Sequence, residues 1–235
     1  MKEETTPIYR DLYDTIFLDT LSKIIVAAAP TGTGKSYAIA RILTKLGLFY
    51  SIRGIGNGRH IIGGPTLGQI MSITYDNFEG ACKELGVSFR KRQDKHYTYY
   101  EIANGLLVFR LLPGENENQW RRGMGDSITL GYVEEAAHCK KDYIDALVSR
   151  GRYDESKTIL ATNADSPYNH IKIDYLDRQE QITGFRYVTA PFGSNPFVGA
   201  KQMEFLKNSG MSPHMIKRLI NNVWVPAEGL SLIHI

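Results

Sequence analysis

Ala29-Pro-Thr-Gly-Thr-Gly34-Lys35-Ser36 is the stretch of sequence that decides the fold. It fits the phosphate-binding loop pattern G-x-x-x-x-G-K-S/T, with Ala29 in the place of the first glycine. The apolar residues 23–29 before it predict a buried strand, and residues 35–46 after it have helical spacing that we expect Gly47 to end. Because strand, glycine-bearing turn and helix come in the order that such a loop requires, a chance match is rare.

The loop predicts a site for ATP and Mg²⁺. Its glycines let backbone N–H groups approach phosphates without a Cβ in the way, and the helix that begins at Lys35 points its positive end at the anion. Lys35 is expected to place a cation on the β- and γ-phosphates, and the Ser36 hydroxyl to ligate Mg²⁺. The adenine pocket is not assigned, although Tyr9 and Tyr13 are candidates. The predicted nucleotide-binding residues are Ala29, Pro30, Thr31, Gly32, Thr33, Gly34, Lys35, Ser36 and Tyr37.

A second apolar run, residues 127–133, ends in the acidic pair Glu134-Glu135. The carboxyl ends of strands are where open α/β sheets bind ligands, so Glu134 is expected to hold Mg²⁺, directly or through water. Glu135 is expected to orient and activate the attacking water. An apolar strand that ends in two acids is by itself more often a solvent-exposed strand end, and its position after a phosphate-binding loop is what favours catalysis. His138 is expected to be packed or exposed rather than catalytic.

Two further polar pairs each leave two interpretations open. Thr162 and Asn163 end an apolar run, and they either sense the γ-phosphate by hydrogen bonding or begin a turn. Arg121 and Arg122 lie in the polar stretch 113–125, which predicts a loop. Either arginine is an arginine finger, which accelerates phosphoryl transfer by about 10³ to 10⁵, or a surface charge.

Strands and helices alternate along the chain, which is typical of an α/β fold with a mostly parallel central sheet and helices on both faces. The β-rich runs on either side of Asn104-Gly105 predict an added antiparallel hairpin. Gly63-Gly64-Pro65 is expected to break a short strand, and Thr66 to cap the next helix. The other predicted helices are 9–21, 66–85, 142–148, 171–177, 202–207 and 213–221, and the other strands are 60–62, 87–92, 97–102, 106–112, 158–161 and 184–188.

Composition indicates an ordinary globular protein. The 235 residues are 43% hydrophobic and 23% charged, and this length suits one α/β domain. No signal peptide or membrane span is expected, because residues 1–14 are polar and no apolar run approaches roughly 20 residues. Cys82 and Cys139 predict reduced, buried thiols of an intracellular protein. The net charge of +3 leaves open whether the basic cluster Arg90, Lys91, Arg92 and Lys95 is a solvated hairpin edge or contacts a phosphate backbone.

The motifs together resemble the large subunit of tailed-phage terminases, the DNA-packaging motors, over nearly the whole chain. The resemblance begins with the loop Ala29–Ser36 and continues through the segments that precede and follow the acidic pair. No single later segment is decisive, but their order and spacing are specific. These segments are HIIGGPTLGQ (60–69), Arg122-Gly123, GYVEEAA (131–137), Ala161-Thr162-Asn163, HIKIDYLDR (170–178), Asn195-Pro196-Phe197, SGMSP (209–213) and WVPAEG (224–229).

The resemblance implies a P-loop NTPase of the RecA/ASCE type that hydrolyses ATP with Mg²⁺ to move double-stranded DNA into a preformed capsid. It implies that the protein works as a homo-oligomeric ring, whereas the isolated protein can be a monomer. The ring would lie in the host cell cytoplasm and dock transiently on the portal protein. A small terminase subunit would recognise the DNA. An arginine acting in trans lies upstream of the acidic pair in this family, which favours Arg122 or Arg121. Many members carry an arginine inside the loop, where this chain has Thr31.

The resemblance also divides the chain into an ATPase domain, residues 1–226, and the start of a linker, residues 227–235. The family normally continues into a nuclease domain similar to RNase H, which this chain lacks, so we expect no nuclease activity from it. One alternative is a helicase-like P-loop translocase, but the Q-x-x-G-R-x-x-R motif of its second domain is missing from the sequence. A nucleotide-binding switch with little turnover is the other alternative, and it has no need of Glu135.

Overall fold

Eight strands form one sheet at the centre of the molecule. They are β1 (Ile24–Ala28), β2 (Arg59–Gly64), β3 (Phe89–Gln93), β4 (Thr98–Ile102), β5 (Leu107–Pro113), β6 (Ile128–Val133), β7 (Lys157–Thr162) and β8 (Phe185–Val188). Their order in space is β3-β4-β5-β2-β6-β7-β1-β8. In this order the strands from β5 to β8 run parallel, whereas β4 forms an antiparallel hairpin with β5 and β3 pairs antiparallel with β4 at one edge. The predicted mostly parallel sheet with an added hairpin is therefore confirmed.

The structure, a computed structural model, describes residues 5–56, 58–123, 125–199, 201, 204, 205 and 208–226. Its helices are α1 (Pro7–Tyr13), α2 (Lys35–Arg53), α3 (Leu67–Leu85), α4 (Glu117–Gly123), α5 (Lys141–Ser149) and α6 (Pro213–Leu219). Shorter helical turns span Asp14–Leu18, Ala136–His138, Ile171–Leu176 and Gln179–Gln181. The predicted linker, residues 227–235, lies outside the described residues, as does most of the predicted helix 202–207.

Helices cover both faces of the sheet, as predicted. One apolar cluster joins α1, α2 and α3 to the first face, with Ile39 and Phe78 fully buried. A second cluster joins α4 and α5 to the other face, with Tyr143 and Leu147 fully buried. Within the described part of the chain, no helix is long and apolar enough to cross a membrane. Cys82 and Cys139 are free and buried.

The prediction that Gly47 ends α2 is wrong, because the helix continues to Arg53 and is capped by Gly54 in the left-handed conformation. Gly47 is instead buried against the sheet, where a Cβ would lie 2.8 Å from the Leu107 side chain. The glycine is required by the close approach of β5, and not by a helix terminus.

The prediction of a loop over residues 113–125 is also wrong, because α4 occupies residues 117–123. Trp120 is buried against the Tyr143 ring at 5.8 Å between centroids, and Arg121 pairs with Glu117 one turn earlier. Packing of this one tryptophan holds a helix whose other residues are polar. Arg121 and Arg122 are therefore helical and exposed.

A hairpin turn and a helix cap are correctly predicted. Ala103, Asn104 and Gly105 all adopt positive φ angles of 51°, 56° and 90° in the hairpin between β4 and β5. The Thr66 hydroxyl accepts a hydrogen bond from Gln69 N at 3.2 Å and caps α3. Strand β2, however, continues through Gly63 and ends at Gly64, two residues beyond the predicted end of the strand at Ile62.

Candidate functional site

The phosphate-binding loop connects β1 to α2 at the carboxyl end of the sheet. Gly32 and Gly34 have φ angles of 78° and 90°, a region that favours glycine. The Thr33 hydroxyl is buried and donates to Pro30 O at 2.9 Å, which ties the loop to itself. The loop is therefore preformed, with α2 beginning at Lys35 as predicted.

The Lys35 ammonium lies inside this loop. Its Nζ donates to Ala29 O at 2.5 Å and to Asn163 Oδ1 at 2.8 Å. Burial lowers the pKa of Lys35 to about 8, and the carboxylates of Glu134 and Glu135 oppose that shift. The Lys35 ammonium is thus held by neutral oxygen acceptors and lies near two carboxylates. In this position a bound phosphate could replace the carbonyl oxygens as its hydrogen-bond acceptor.

Glu134 follows β6 and is almost entirely buried. Its carboxylate accepts a hydrogen bond from the Tyr132 hydroxyl and interacts with the Ser36 hydroxyl. Burial raises the pKa of Glu134, whereas these two hydroxyls and Lys35 lower it. A buried carboxylate and a hydroxyl that share one cavity are hard oxygen ligands, the type that Mg²⁺ prefers, so the predicted pair Ser36 and Glu134 fits that ion.

Glu135 adopts a left-handed backbone conformation with φ 52° and ψ 41°. Its carboxylate is 3.1 Å from Nδ1 of His138, and this contact lowers the pKa of Glu135. Positive φ at a residue other than glycine is a strained conformation that is common at functional sites. His138 is exposed, as expected, and its contact with Glu135 was not predicted.

Thr162 ends β7 and is buried, with its hydroxyl donating to Asn163 O at 2.9 Å. Asn163, rather than Thr162, contacts Lys35. Both residues line a cavity of about 360 Å³ together with the loop, Glu134 and Glu135. The structure therefore brings together the predicted loop residues from Thr31 to Tyr37, both acids and Thr162.

The described residues that line this cavity do not include Arg121 or Arg122. Arg122 Nε donates to Asn118 O at 3.1 Å, and its side chain borders a different depression with Lys95 and His96. Both arginines are exposed at the surface.

A second cavity of about 620 Å³ adjoins the loop at Tyr37. Tyr9, Arg41 and Phe197 line it, and the Arg41 guanidinium lies 3.3 Å from the Tyr37 ring centroid while it pairs with Glu84. Tyr13 instead stacks on Phe17, with ring centroids 5.0 Å apart. Of the two candidate adenine contacts, Tyr9 alone borders this cavity.

The C-terminal described segment closes over the loop. Thr31 N donates to Leu219 O at 2.9 Å, and Asn222 Nδ2 donates to Ala28 O at 2.9 Å. Arg218 pairs with Asp165 at 2.5 Å. The loop is thus fastened to α6 and to the turn that follows it.

A basic and aromatic surface lies on the hairpin, away from the loop. Arg92, Tyr99 and Arg110 are adjacent on β3, β4 and β5, and Arg92 lies 5.0 Å from the Tyr99 ring centroid. Arg110 also borders a cavity of about 720 Å³ that Arg59 and Arg152 line. The Nε of Arg110 is buried and has no hydrogen-bond partner among the described residues.

The chain matches known proteins in sequence and in fold. Residues 26–213 match the family model described as terminase large subunit, T4likevirus-type, N-terminal. The large terminase of a thermophilic bacteriophage, in complex with ADP, is 14% identical, with a TM-score of 0.78 over 94% of this chain and 54% of that chain. The same terminase in complex with ATP-gamma-S is 14% identical, with a TM-score of 0.75 over 94% and 53%.

The large terminase of bacteriophage HK97 is 15% identical, with a TM-score of 0.71 over 94% of this chain and 51% of that chain. This chain therefore spans about half the length of these solved relatives. At such identities the likeness shows the fold, and the P-loop α/β fold predicted from the sequence is confirmed. No curated protein matches the chain.

Proposed function

This chain belongs to the terminase large-subunit family, and we propose that it is the ATP-hydrolysing motor domain that drives double-stranded DNA into a procapsid. The observation that carries the proposal is one cavity in which Lys35, Ser36, Glu134 and Glu135 converge. A cation, a hydroxyl and two carboxylates around a preformed phosphate-binding loop are the groups that phosphoryl transfer needs. The relative from a thermophilic bacteriophage, with bound ADP and ATP-gamma-S, supports nucleotide binding at this fold.

The residues of the cavity divide the work. Lys35 neutralises the β- and γ-phosphates after exchanging its carbonyl partners for them. Glu135 holds the attacking water and takes its proton as the water oxygen bonds to the γ-phosphorus and the bond to ADP breaks. Ser36 and Glu134 would hold Mg²⁺, which neutralises phosphate charge when bound. Asn163 and Thr162 connect the Lys35 ammonium to β7 by hydrogen bonds, which supports the proposal that they respond to the γ-phosphate.

The base of ATP is assigned to the cavity beside Tyr37, because it adjoins the loop and carries aromatic rings. Tyr9 and Tyr37 offer stacking surfaces, and Arg41 is held in place by Glu84. Tyr37→Ala is expected to weaken ADP binding more than binding of inorganic pyrophosphate, which has no base.

Steady-state phosphate release with Mg-ATP tests the activity. Lys35→Ala is expected to lose both ATP binding and turnover, whereas Glu135→Gln loses turnover and keeps binding. Lys83→Ala and Glu180→Gln, which change exposed residues of the same types, serve as controls. Turnover that survives in Glu135→Gln, or nucleotide binding that survives unchanged in Lys35→Ala, would contradict the assignment.

An arginine from a neighbouring subunit completes the site in this proposal, since Arg121 and Arg122 are exposed away from their own loop. Mixing two inactive variants tests this directly. Lys35→Ala subunits keep the arginine, and Arg122→Ala subunits keep an intact loop, so the mixture should regain turnover. The same mixture with Arg121→Ala identifies which of the two arginines acts. No recovery in either mixture, at concentrations where wild type is active, would exclude action in trans.

The surface formed by Arg92, Tyr99 and Arg110 is assigned to the DNA backbone, because guanidinium groups match the geometry of phosphates and also stack on aromatic rings, although Arg92 is paired with Glu101 in the free protein. Arg92→Glu with Arg110→Glu is expected to weaken duplex DNA binding and to lower its salt dependence by about one unit of slope for each phosphate that is no longer bound. Arg178→Glu, an exposed arginine next to the turn that packs on β8 at the opposite sheet edge, is the control. A loss of binding free energy in the control about half as large as that in the double variant, or larger, would make the effect one of net charge only, because the control reverses half as many charges. The proposal also includes the partners and the assembly of this domain. It works as a homo-oligomeric ring docked on the portal protein in the host cytoplasm, and the small terminase subunit recognises the DNA.

A further inference from the structure

Tyr132 is a buried tyrosine whose hydroxyl reaches the acidic pair. It lies two residues before Glu134, so both side chains project from the same side of β6. The ring is fully buried in the apolar cluster that packs beneath α2 and α3. Its hydroxyl donates to Glu134 Oε1. Packing explains the ring but not the hydroxyl, since phenylalanine would fill the same space.

Glu134 has one methylene more than an aspartate, the shorter of the two acidic side chains. The extra rotatable bond gives its carboxylate more freedom, which must be restricted if the carboxylate is to hold a metal in one place. Ser36 interacts with this carboxylate and also with the Tyr132 hydroxyl, but the Ser36 hydroxyl is itself a predicted metal ligand. The Tyr132 hydroxyl is thus the contact that can persist when the metal is bound.

We propose that Tyr132 is a positioning residue that holds the Glu134 carboxylate in place for the magnesium ion of the bound nucleotide. This inference rests on the proposed ATPase function and adds a residue to it. The hydroxyl binds Oε1 and leaves the other carboxylate oxygen, Oε2, available for the metal ion, while the fully buried ring restricts the direction of the hydroxyl. The hydrogen bond thereby restricts the Glu134 side chain to about the freedom that a shorter aspartate would have.

Nucleotide binding measured with and without Mg²⁺ tests the proposal without relying on turnover. Affinity for a fluorescent ADP is measured in excess Mg²⁺ and in EDTA, for wild type and Tyr132→Phe. The ratio of the two affinities is expected to fall by about three- to tenfold in the variant, the size of one lost hydrogen bond of ordinary net strength. Affinity in EDTA is expected to stay within about twofold of wild type, because the loop is unchanged.

Tyr100→Phe is the matched control. Tyr100, on β4 and away from the site, is also a fully buried tyrosine of the same cluster. Its hydroxyl lies 3.0 Å from the Thr74 hydroxyl. The control should leave both affinities at their wild-type values. Circular dichroism melting of both variants reports folding. If Tyr132→Phe fails to fold while Tyr100→Phe folds, the hydroxyl is a structural element and the proposal is wrong.

A double-variant cycle with Glu134→Asp makes the test specific. The shorter aspartate withdraws the carboxylate from Tyr132, so Tyr132→Phe should have no further effect on the Mg²⁺ ratio in that background. An equal loss in both backgrounds, or a loss of equal size in EDTA and in Mg²⁺, would overturn the role of Tyr132 alone. A wild-type chain whose ADP affinity does not respond to Mg²⁺ would overturn the proposed function itself.

Discussion

Gly63→Ala is a single-atom change that should loosen the strand end from which the acidic pair projects. Gly63 pairs with Val133 across β2 and β6, and its carbonyl accepts a hydrogen bond from Glu134 N at 3.0 Å. A Cβ at Gly63 would lie closer than 3.0 Å to the Tyr143 hydroxyl oxygen and 3.2 Å from Cζ. Tyr143 is fully buried and donates to Leu112 O at 2.5 Å, so it has no free direction in which to move.

The cost of this change follows from two contributions. Overpacking a well-packed core costs about 1–3 kcal/mol. Displacing the Tyr143 hydroxyl leaves buried polar groups without a partner, which costs about 1–3 kcal/mol more. We therefore expect Gly63→Ala to lower the free energy of unfolding by about 3 kcal/mol or more, a large part of the roughly 5–15 kcal/mol that a domain has.

Urea unfolding of a double-variant cycle measures the contact itself. Tyr143→Phe alone should cost about 1–2 kcal/mol, because it removes one buried hydrogen bond. Combined with Gly63→Ala it should cost less than the sum of the two, by about 1 kcal/mol or more, because the hydroxyl that meets the new Cβ is gone. Gly68→Ala is the control, since its Cβ would lie 3.9 Å from its nearest neighbour. Additive losses, or a loss for Gly68→Ala as large as that for Gly63→Ala, would refute the steric reasoning.

Three further predictions concern single residues. His138→Ala should lower turnover about two- to fivefold, a modest effect because the pair with Glu135 is partly exposed, and ADP affinity measured by fluorescence should not change. Because the pKa of Lys35 is lowered to about 8, its amine is largely neutral in the free protein above that pH. The amine should therefore take up a proton when ADP binds. Calorimetry at pH 8.5 in two buffers should detect this uptake, with affinity falling as pH rises, and zero uptake would contradict the shift. Thr6→Ala should cost about 1 kcal/mol in urea unfolding, because Tyr9 N donates to the Thr6 hydroxyl at 3.2 Å to cap α1, and an intact stability would exclude a role for this cap.

The parts of the site that the sequence predicted depend on local chemistry. The loop from Ala29 to Ser36 is set by glycines, a lysine and a serine that are neighbours in the chain, and the apolar runs before it and before Glu134 mark two buried strands. The cap at Thr66 and the turn at Asn104-Gly105 are likewise properties of a few consecutive residues. Such features need no knowledge of what packs against them.

The errors have the opposite cause. Gly47 has the appearance of a helix terminus, and only the approach of Leu107 from a distant strand explains why a glycine is needed inside α2. Helix α4 has too few apolar residues to show helical periodicity, and Trp120 reveals itself as an anchor only through Tyr143. Contacts between residues far apart in the chain cannot be read from spacing.

The same limit applied to the residues that support the groups proposed to be catalytic. Asn163 contacts Lys35, although 128 positions separate them, and this contact depends on the strand order. Tyr132 could have been suspected from its place two residues before Glu134, since alternate residues of a strand share one side. That signal is present in the sequence, but it gains meaning only when both side chains are known to be buried.

The strand order explains why the site needs such supporting residues. Strand β7 lies between β1, which carries the loop, and β6, which carries the acids. Two strand spacings, about 9–10 Å, therefore separate the strand that carries the loop from the strand that carries the acidic pair, and in the proposed function the phosphates and the metal ion bind between them. A glutamate at position 134 reaches further across the gap than an aspartate would. That longer reach requires a firm hold on the carboxylate, and Tyr132 provides a buried hydroxyl where this need arises. Length at Glu134 and the hydroxyl at Tyr132 are thus two parts of one arrangement, so a change of either should alter the consequence of changing the other.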